Sequence, residues 1–252
     1  MHAERLDFMG AHGQKLAARL DSPETTVKAY ALFAHCFTCG KDVFAASRIS
    51  QALTDHGIAV LRFDFTGLGA SEGEFANTNF SSNIADLLAA VDYLRQTREA
   101  PRILIGHSLG GAATLAVAGE VPEAQAVVTI AAPSDPAHVT HLFGDQVEAI
   151  TAQGEAMVQL AGRPFRIKRQ FLEDVAEHGL RAKIASLRKA LVVMHAPGDS
   201  TVGISNAVDI FSAAKHPKSF ISLDTADHLL SKREDAVYVA NLIAAWSSRY
   251  LV

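Results

Sequence analysis

The sequence has few cysteines, no long apolar run and no long run of charge of one sign. Only two of its 252 residues are cysteine, and the net charge of −4 is spread along the chain. No apolar run approaches the roughly 20 residues that span a bilayer, and the first residues lack the apolar core of a signal peptide. The dispersed charge argues against nucleic acid or an anionic membrane as a partner. We therefore expect a cytoplasmic protein that binds neither.

The two cysteines, Cys36 and Cys39, form a Cys-x-x-Cys pair. In a cytosolic chain such a pair can be redox-active or half of a metal site. No second cysteine pair completes a zinc site, and no thioredoxin-like motif surrounds this one. We expect two small residues packed in a turn, with a redox or metal role as the alternative. No other metal site is expected.

Apolar strand-like segments alternate with amphipathic helix-like segments along most of the chain. This alternation predicts an α/β fold with a mostly parallel sheet and helices on both faces. The first two strands, separated by a turn at residues 10–13, read as an antiparallel hairpin at one edge of the sheet. The predicted strands are residues 5–9, 15–21, 29–35, 58–63, 102–105, 125–131, 191–196 and 219–223.

Residues with capping side chains predict where two helices begin. Asp42 is the expected N-cap of a helix over residues 42–55, and Ser81 or Ser82 caps a long helix that reaches about residue 98. Residues 65–73 are glycine-rich and form a predicted loop. Their Gly-x-Gly is not a dinucleotide fingerprint, because no helix follows and no third glycine lies at the required offset.

The strand–helix alternation is interrupted between residues 136 and 188. Helical patterns near residues 145–154 and from residue 170 flank a predicted hairpin that turns at residues 162–164. An insertion after the sixth strand is expected to cover the carboxyl edge of the sheet, where ligands bind in open α/β folds. We therefore divide the chain into a core, residues 1–135 and 189–252, and a small cap of residues 136–188.

Residues 106–111 read Gly-His-Ser-Leu-Gly-Gly, between an apolar run and a helix-like run. A Gly-x-Ser-x-Gly sequence between a strand and a helix is typical of a nucleophile elbow. The tight turn exposes the serine hydroxyl at a helix N-terminus, where backbone N–H groups stabilise developing negative charge. Ser108 is therefore the predicted nucleophile.

A serine nucleophile needs an imidazole base that is oriented by a carboxylate. Where such an elbow occurs, the acid and then the histidine follow the serine along the chain, each in a loop after a late strand. Asp199 follows the strand at residues 191–196, and His228 lies after the last strand and before the final helix. We predict a triad of Ser108, Asp199 and His228, with His107 packed beside the serine.

The tetrahedral intermediate of acyl transfer needs two hydrogen-bond donors for its oxyanion. The expected donors are the backbone N–H groups of Leu109 and of Phe37, the latter in the loop after the third strand. Apolar residues of the cap could form an acyl or aryl site, or could be the core of the cap itself. The predicted pocket residues are His107, Leu142, Phe143, Phe165, Phe171, Val202 and Leu229.

Three segments carry a family resemblance: residues 35–42 (His-Cys-Phe-Thr-Cys-Gly-Lys-Asp), 62–69 (Arg-Phe-Asp-Phe-Thr-Gly-Leu-Gly) and 131–136 (Ala-Ala-Pro-Ser-Asp-Pro). With the elbow and the order of the triad, nearly the whole chain resembles the α/β-hydrolase superfamily. The segments resemble bacterial hydrolases that are often fused to an OsmC-like domain, and the cap is similar to that of cinnamoyl and feruloyl esterases. The resemblance implies an eight-stranded sheet and a cofactor-free serine carboxylesterase active on small acyl esters.

Alternatives remain open for the activity and the assembly. A thioesterase or an amidase would use the same triad, and a non-catalytic ligand-binding module could be built on the same scaffold. The short cap favours short or medium acyl chains over long triglycerides. We expect a small-molecule ester as the partner, and a monomer or a homodimer as the assembly.

Overall fold

A computed structural model of the protein describes residues 1–251. Its strands are β1 (His2–Met9), β2 (Lys15–Ser22), β3 (Ala29–Ala34), β4 (Ile58–Phe63), β5 (Ile103–His107), β6 (Ala126–Ile130), β7 (Glu155–Leu160), β8 (Arg163–Lys168), β9 (Ala190–His195) and β10 (Lys218–Ser222). Its α-helices are α1 (Phe44–Thr54), α2 (Phe80–Thr97), α3 (Leu109–Val117), α4 (Gln146–Gln153), α5 (Arg169–Glu177), α6 (Arg181–Ala185), α7 (Ser205–Ala213) and α8 (Arg233–Ser247).

Eight strands form one sheet in the order β1-β2-β4-β3-β5-β6-β9-β10. β1 and β2 pair antiparallel with each other, β2 is antiparallel to β4, and all the remaining pairs are parallel. The predicted edge hairpin and mostly parallel eight-stranded sheet are confirmed. β4, β5, β6 and β9 are buried along their whole length and are mostly apolar, because helices cover both faces of a parallel sheet.

The core lies in two layers, one on each face of the sheet. Alternate residues of β4 show the division: Ala59 and Leu61 pack towards α2 and α3, whereas Ile58 and Val60 pack towards α1 and α8. This period of two follows from the alternation of side chains along a strand. The sheet is therefore held rigidly, and its carboxyl edge offers fixed positions for a site.

None of the helices in residues 1–251 has both the length and the apolar character needed to cross a bilayer.

Two predicted helix caps are wrong. α1 begins at Phe44, and its N-cap residue, Val43, provides no side-chain cap. Asp42 does not cap the helix because its carboxylate forms an ion pair with the buried Arg62 at 2.7 Å. α2 is capped by Asn79, whose side chain accepts a hydrogen bond from the Ser82 N–H at 2.8 Å. The Ser82 hydroxyl in turn accepts from the Asn79 N–H. Ser82 therefore lies inside the helix, as the third residue of a capping box.

Between β6 and β9 lie a 3-10 helix (Pro136–Phe143), α4, the two-stranded β7–β8 sheet, α5 and α6. The β7–β8 hairpin turns at Ala161 and Gly162, both with positive φ, as two-residue hairpin turns require. The predicted turn at residues 162–164 is therefore wrong, since Arg163 and Pro164 belong to β8. We call residues 136–188 the insertion; its separation from the core as a cap stays a prediction.

Candidate active site

Ser108 lies at the junction of β5 and α3 with φ 55° and ψ −127°. Such a backbone conformation is sparsely populated for a non-glycine residue and costs of order 1–3 kcal/mol. The neighbouring glycines permit it: a Cβ at Gly106 would lie 2.4 Å from the Gly110 carbonyl oxygen, and a Cβ at Gly110 would lie 2.4 Å from the Ala34 carbonyl oxygen. The hydroxyl is thus fixed at the helix N-terminus.

Three side chains from separate parts of the chain meet at this edge of the sheet. The Ser108 hydroxyl donates to His228 Nε2 at 3.0 Å, and His228 Nδ1–H donates to Asp199 Oδ2 at 2.7 Å. The other carboxylate oxygen, Asp199 Oδ1, accepts from the N–H groups of Thr201 and Val202, both at 2.9 Å. The structure therefore brings the three predicted residues into one hydrogen-bonded chain.

The carboxylate of Asp199 is held in its ionised form. Burial disfavours the charge, but the hydrogen bonds from His228 and from the Val202 N–H outweigh it, so the pKa of Asp199 lies below its usual value. An ionised acceptor at Nδ1 fixes the imidazole tautomer and leaves Nε2 free to accept a proton from Ser108. The position of the Asp199 carboxylate and its negative charge both favour the His228 tautomer that can accept a proton from Ser108.

Two buried histidines support the loops that carry these residues. His107 Nε2–H donates to the His228 carbonyl oxygen, and His195 Nε2–H donates to the Val202 carbonyl oxygen, both at 2.7 Å. Burial, reinforced by the nearby His228, lowers the pKa of His107 to about 4. Burial also lowers the pKa of His195. Both rings are neutral at pH 7 and donate to backbone, roles that the sequence did not reveal.

Phe37 lies in the loop after β3 and lines the same cleft as Ser108. Within residues 1–251, neither the Phe37 N–H nor that of Leu109 donates a hydrogen bond. Residues 36–39 form a tight turn in which Cys39 N–H donates to the Cys36 carbonyl oxygen at 3.1 Å and Thr38 has φ 58°. His35 Nδ1–H braces the same carbonyl oxygen at 2.8 Å. Both N–H groups are unpaired within the described residues, and their role as donors to an oxyanion stays a prediction.

The expectation that Cys36 and Cys39 are merely two small packed residues is wrong. They lie in the turn, but a disulfide joins them. A bond across three residues depends on the turn bringing both sulfurs together, which residue spacing alone cannot show.

A buried ionic network holds the end of this loop. Asp64 accepts from the Lys41 N–H at 2.6 Å, from Lys41 Nζ at 3.0 Å and from the Ala70 N–H at 3.0 Å. Arg62, almost fully buried, pairs with Asp21 at 2.8 Å. Burial disfavours the Lys41 charge, but hydrogen bonds to Asp42 and Asp64 outweigh it and raise the pKa of Lys41. These paired charges fix the loop after β3 to the sheet.

A cleft of about 610 Å³ opens above Ser108 and His228. Predicted pocket residues Leu142 and Leu229 line it, together with the disulfide, Arg163 and Thr201. Behind Phe37 and Leu109 lies a smaller apolar recess, which shares Phe37 with the cleft. The recess offers about 10 Å³ to the centre of a water-sized sphere, close to the space needed by a single water. It is lined by Phe65, Leu68, Phe75, Phe80 and Ala113 among others.

The other predicted pocket residues lie around the cleft rather than in its lining. The rings of Phe143 and Phe171 pack on Phe37, with centroids 6.1 and 5.4 Å away, and Phe165 packs on Phe75 at 4.9 Å. Val202 is buried in the loop after β9, and His107 is buried at the end of β5. The insertion thus builds an aromatic cluster against Phe37, and a direct substrate contact by these five residues stays a prediction. Within residues 1–251, no group of three or more His, Cys, Asp or Glu side chains could hold a metal ion.

The sequence matches the alpha/beta hydrolase family over residues 31–250. The match covers most of the chain, so this protein belongs to that family. The predicted resemblance to α/β hydrolases, with esterases among the structural neighbours, is confirmed.

Two solved structures illustrate the likeness. The esterase domain of a Rhodothermus marinus protein is 53% identical, with 100% of both chains covered and a TM-score of 0.83. Est1E of Butyrivibrio proteoclasticus, solved with ferulic acid bound, is 20% identical, with 97% of this chain and 98% of that chain covered and a TM-score of 0.84. The second likeness shows the fold alone.

Curated relatives are more distant. The mouse mitochondrial palmitoyl-protein thioesterase ABHD10 is 26% identical over 192 residues, 71% of this chain and 62% of that protein. Mouse monoglyceride lipase is 32% identical over 117 residues, 46% of this chain and 38% of that protein. The chain thus spans less than two thirds of these relatives. It is an α/β hydrolase with esterase, lipase and thioesterase relatives.

Proposed function

We propose that this protein is a serine hydrolase that cleaves small carboxylic esters through an acyl-enzyme. The observation that carries the proposal is the hydrogen-bonded chain from Ser108 through His228 to Asp199, with distances of 3.0 and 2.7 Å. Its nucleophile stands on the strained turn of an elbow, and its relatives include an esterase domain that is 53% identical over the whole chain.

The proposed mechanism uses the two hydrogen bonds that link Ser108, His228 and Asp199. His228 Nε2 takes the Ser108 proton as the serine oxygen attacks the ester carbonyl, and Asp199 stabilises the imidazolium that forms. The imidazolium then protonates the leaving alcohol as the tetrahedral intermediate collapses to the acyl-enzyme. In the second half the same nitrogen activates a water that releases the acid. The chemistry uses only side chains, backbone and water, so no cofactor is required.

The unpaired N–H groups of Phe37 and Leu109 are the proposed oxyanion donors. Backbone donors of a rigid loop and a helix N-terminus are oriented before the charge develops, so they cost little reorganisation. His107 and His195 are positioning residues in this scheme, because they hold the loops of His228 and Asp199 through their backbone carbonyls.

Size and polarity of the site favour a short acyl group. The apolar recess behind the two donors is closed by Phe37 and its aromatic neighbours and admits only a small group without rearrangement. The open cleft, about 610 Å³, has room for the alcohol portion. We infer that short acyl esters react fastest, with aryl or alkyl alcohols accepted in the cleft.

Replacing Ser108 by alanine tests the proposal. Hydrolysis of p-nitrophenyl acetate should fall by at least about 10⁴-fold, since loss of a triad serine removes the nucleophile. Ser248→Ala, at an exposed position after α8, is the matched control and should hydrolyse at the wild-type rate. Unchanged turnover in Ser108→Ala would exclude the assignment. Labelling by a fluorophosphonate in the wild type but not in Ser108→Ala would separate an enzyme from a ligand-binding module.

A thioesterase is the second candidate, supported by the likeness to the mouse palmitoyl-protein thioesterase over 71% of this chain. The same triad would attack a thioester carbonyl. Butyrate esters and butyryl thioesters assayed side by side distinguish the two. A clearly higher kcat/KM for the thioester would favour the second candidate.

Three further properties remain proposals. We propose residues 136–188 as a cap over the site, a cytoplasmic location, and a monomer or homodimer as the assembly. Limited proteolysis, cell fractionation and sedimentation of the purified chain test them in turn.

A further inference from the structure

The Cys36–Cys39 disulfide spans the turn that carries Phe37. Cys36 is buried and Cys39 is half-buried, and both line the cleft that holds Ser108 and His228. The sequence motif that catalysis does not use therefore lies at the proposed oxyanion hole. The disulfide thus brackets Phe37, whose N–H is one of the two proposed donors.

The turn is one that its own sequence disfavours. Thr38, the third of its four residues, has φ 58°, a conformation in which turns normally carry glycine or asparagine. Threonine is β-branched and is a strong outlier at positive φ. Inside the turn only one backbone hydrogen bond, from Cys39 N–H to the Cys36 carbonyl oxygen, opposes relaxation. Because Thr38 disfavours the positive φ that the turn requires, the disulfide supplies the restraint that keeps the turn in this conformation.

The other contacts hold the loop at points beside the donor. Lys41 is anchored to Asp64 on the far side of the turn, and His35 supports the Cys36 carbonyl on the near side. The Arg163 guanidinium, from the insertion, donates to the Thr38 carbonyl oxygen. Within residues 1–251 no hydrogen bond is made by the Phe37 N–H itself. Its direction therefore depends on the backbone between the two cysteines.

We propose that the Cys36–Cys39 disulfide is a positioning element of the oxyanion hole, and that its reduction by a dithiol lowers the catalytic rate reversibly. The proposal rests on the proposed function, because it assigns a role to the Phe37 N–H in ester cleavage. In a reducing cytoplasm, disulfides are characteristically transient, catalytic or redox-sensing, so a cross-link here fits a switch better than a permanent brace.

The reduction is a balanced thiol–disulfide exchange. A thiolate of the dithiol attacks Sγ of the half-buried Cys39, the Cys36 thiolate leaves, and it takes up a proton. The second thiol of the reductant then attacks its own sulfur in the mixed disulfide and releases Cys39 as a thiol. Two electrons and two protons pass to the protein, and the reductant ends as a cyclic disulfide. Because both cysteines line the substrate cleft, a competitive ligand should slow the exchange.

The test compares oxidised and reduced protein. Wild-type protein is reduced with dithiothreitol, desalted anaerobically and assayed with p-nitrophenyl acetate, with free thiols counted in parallel. We expect kcat to fall about 10- to 100-fold, below the loss for a deleted oxyanion donor, while KM changes by no more than about twofold. Reoxidation by excess oxidised glutathione, which takes up the two electrons and two protons as two glutathione thiols, should restore kcat. The double variant Cys36→Ser/Cys39→Ser should have the kcat of the reduced wild type, and dithiothreitol should not change it.

A rescue variant separates positioning from general stability. Thr38→Gly in the Cys36→Ser/Cys39→Ser background removes the cost of positive φ and should recover part of kcat without restoring the cross-link. Thermal unfolding above the assay temperature confirms that each form is folded. Equal kcat in oxidised and reduced protein, or a loss confined to KM, would overturn the inference while leaving the esterase proposal intact. An inactive oxidised wild type would instead overturn the proposed function.

Discussion

The substitution Asp199→Asn probes the orientation of the imidazole without changing the size of the side chain. Asp199 Oδ1 accepts two backbone N–H groups at 2.9 Å, so the amide oxygen of asparagine must take that position. The amide nitrogen then replaces Oδ2 and faces His228 Nδ1, now 2.7 Å from a donor. The opposite amide rotamer would direct its N–H groups at two backbone donors, which costs two buried hydrogen bonds.

With a donor at Nδ1, His228 must carry its proton on Nε2, where it can no longer accept from Ser108. The same change in a protease triad lowers kcat by about 10⁴, which corresponds to about 5.5 kcal/mol in the activation barrier. We expect a loss of that order in p-nitrophenyl acetate hydrolysis, with KM little changed. Asp209→Asn, exposed on α7, is the matched control. A loss smaller than about tenfold would refute the assignment of Asp199.

Three other perturbations give sharp expectations. The pKa of His107 is about 4 in the fold against an ordinary 6.5, so the unfolded chain binds the proton first as pH falls. The free energy of unfolding should therefore decrease on acidification, and His107→Gln should shrink the decrease between pH 7 and pH 5 by about 2 kcal/mol in urea titrations; an unchanged decrease would contradict the shift. Leu68→Ala, which enlarges the recess, should raise the kcat/KM of octanoate relative to acetate esters, and an unaltered ratio would exclude the recess as the acyl site. Gly110→Ala should lower the thermal midpoint strongly, because its Cβ meets the Ala34 carbonyl at 2.4 Å, whereas Gly119→Ala has no atom within 4 Å and should be neutral; equal midpoints would contradict the close packing at the elbow.

The sequence predicted the parts of this protein that depend on long patterns. The central strands were predicted from runs of apolar residues, because burial on both faces demands them, and the edge strands from their place in the strand–helix alternation. The elbow at Ser108 and the order of Asp199 and His228 predicted three residues that the structure brings within hydrogen-bonding distance. Their catalytic roles stay predictions. The strands, the elbow and the order of the three residues could be predicted because the fold or the chemistry requires particular residue types there.

Local competition between side chains could not be predicted. Asp42 is a good N-cap by residue type, but its carboxylate pairs with Arg62 and with Lys41 instead. Asn79 caps α2 because Ser82 reciprocates, a capping box without the usual acidic third residue. The disulfide spans a turn in which Thr38 has positive φ, a conformation that threonine disfavours, so residue types did not predict it. Each outcome is decided by a particular partner side chain or by backbone geometry.

Covalent trapping of the nucleophile tests the central claim most directly. Incubation with diethyl p-nitrophenyl phosphate, followed by peptide mass spectrometry, should show one equivalent of diethyl phosphate on the hydroxyl of Ser108. The same label should be lost in His228→Ala, because the serine needs the imidazole to give up its proton. Labelling of a different serine, or equal labelling of Ser108 in His228→Ala, would contradict the account.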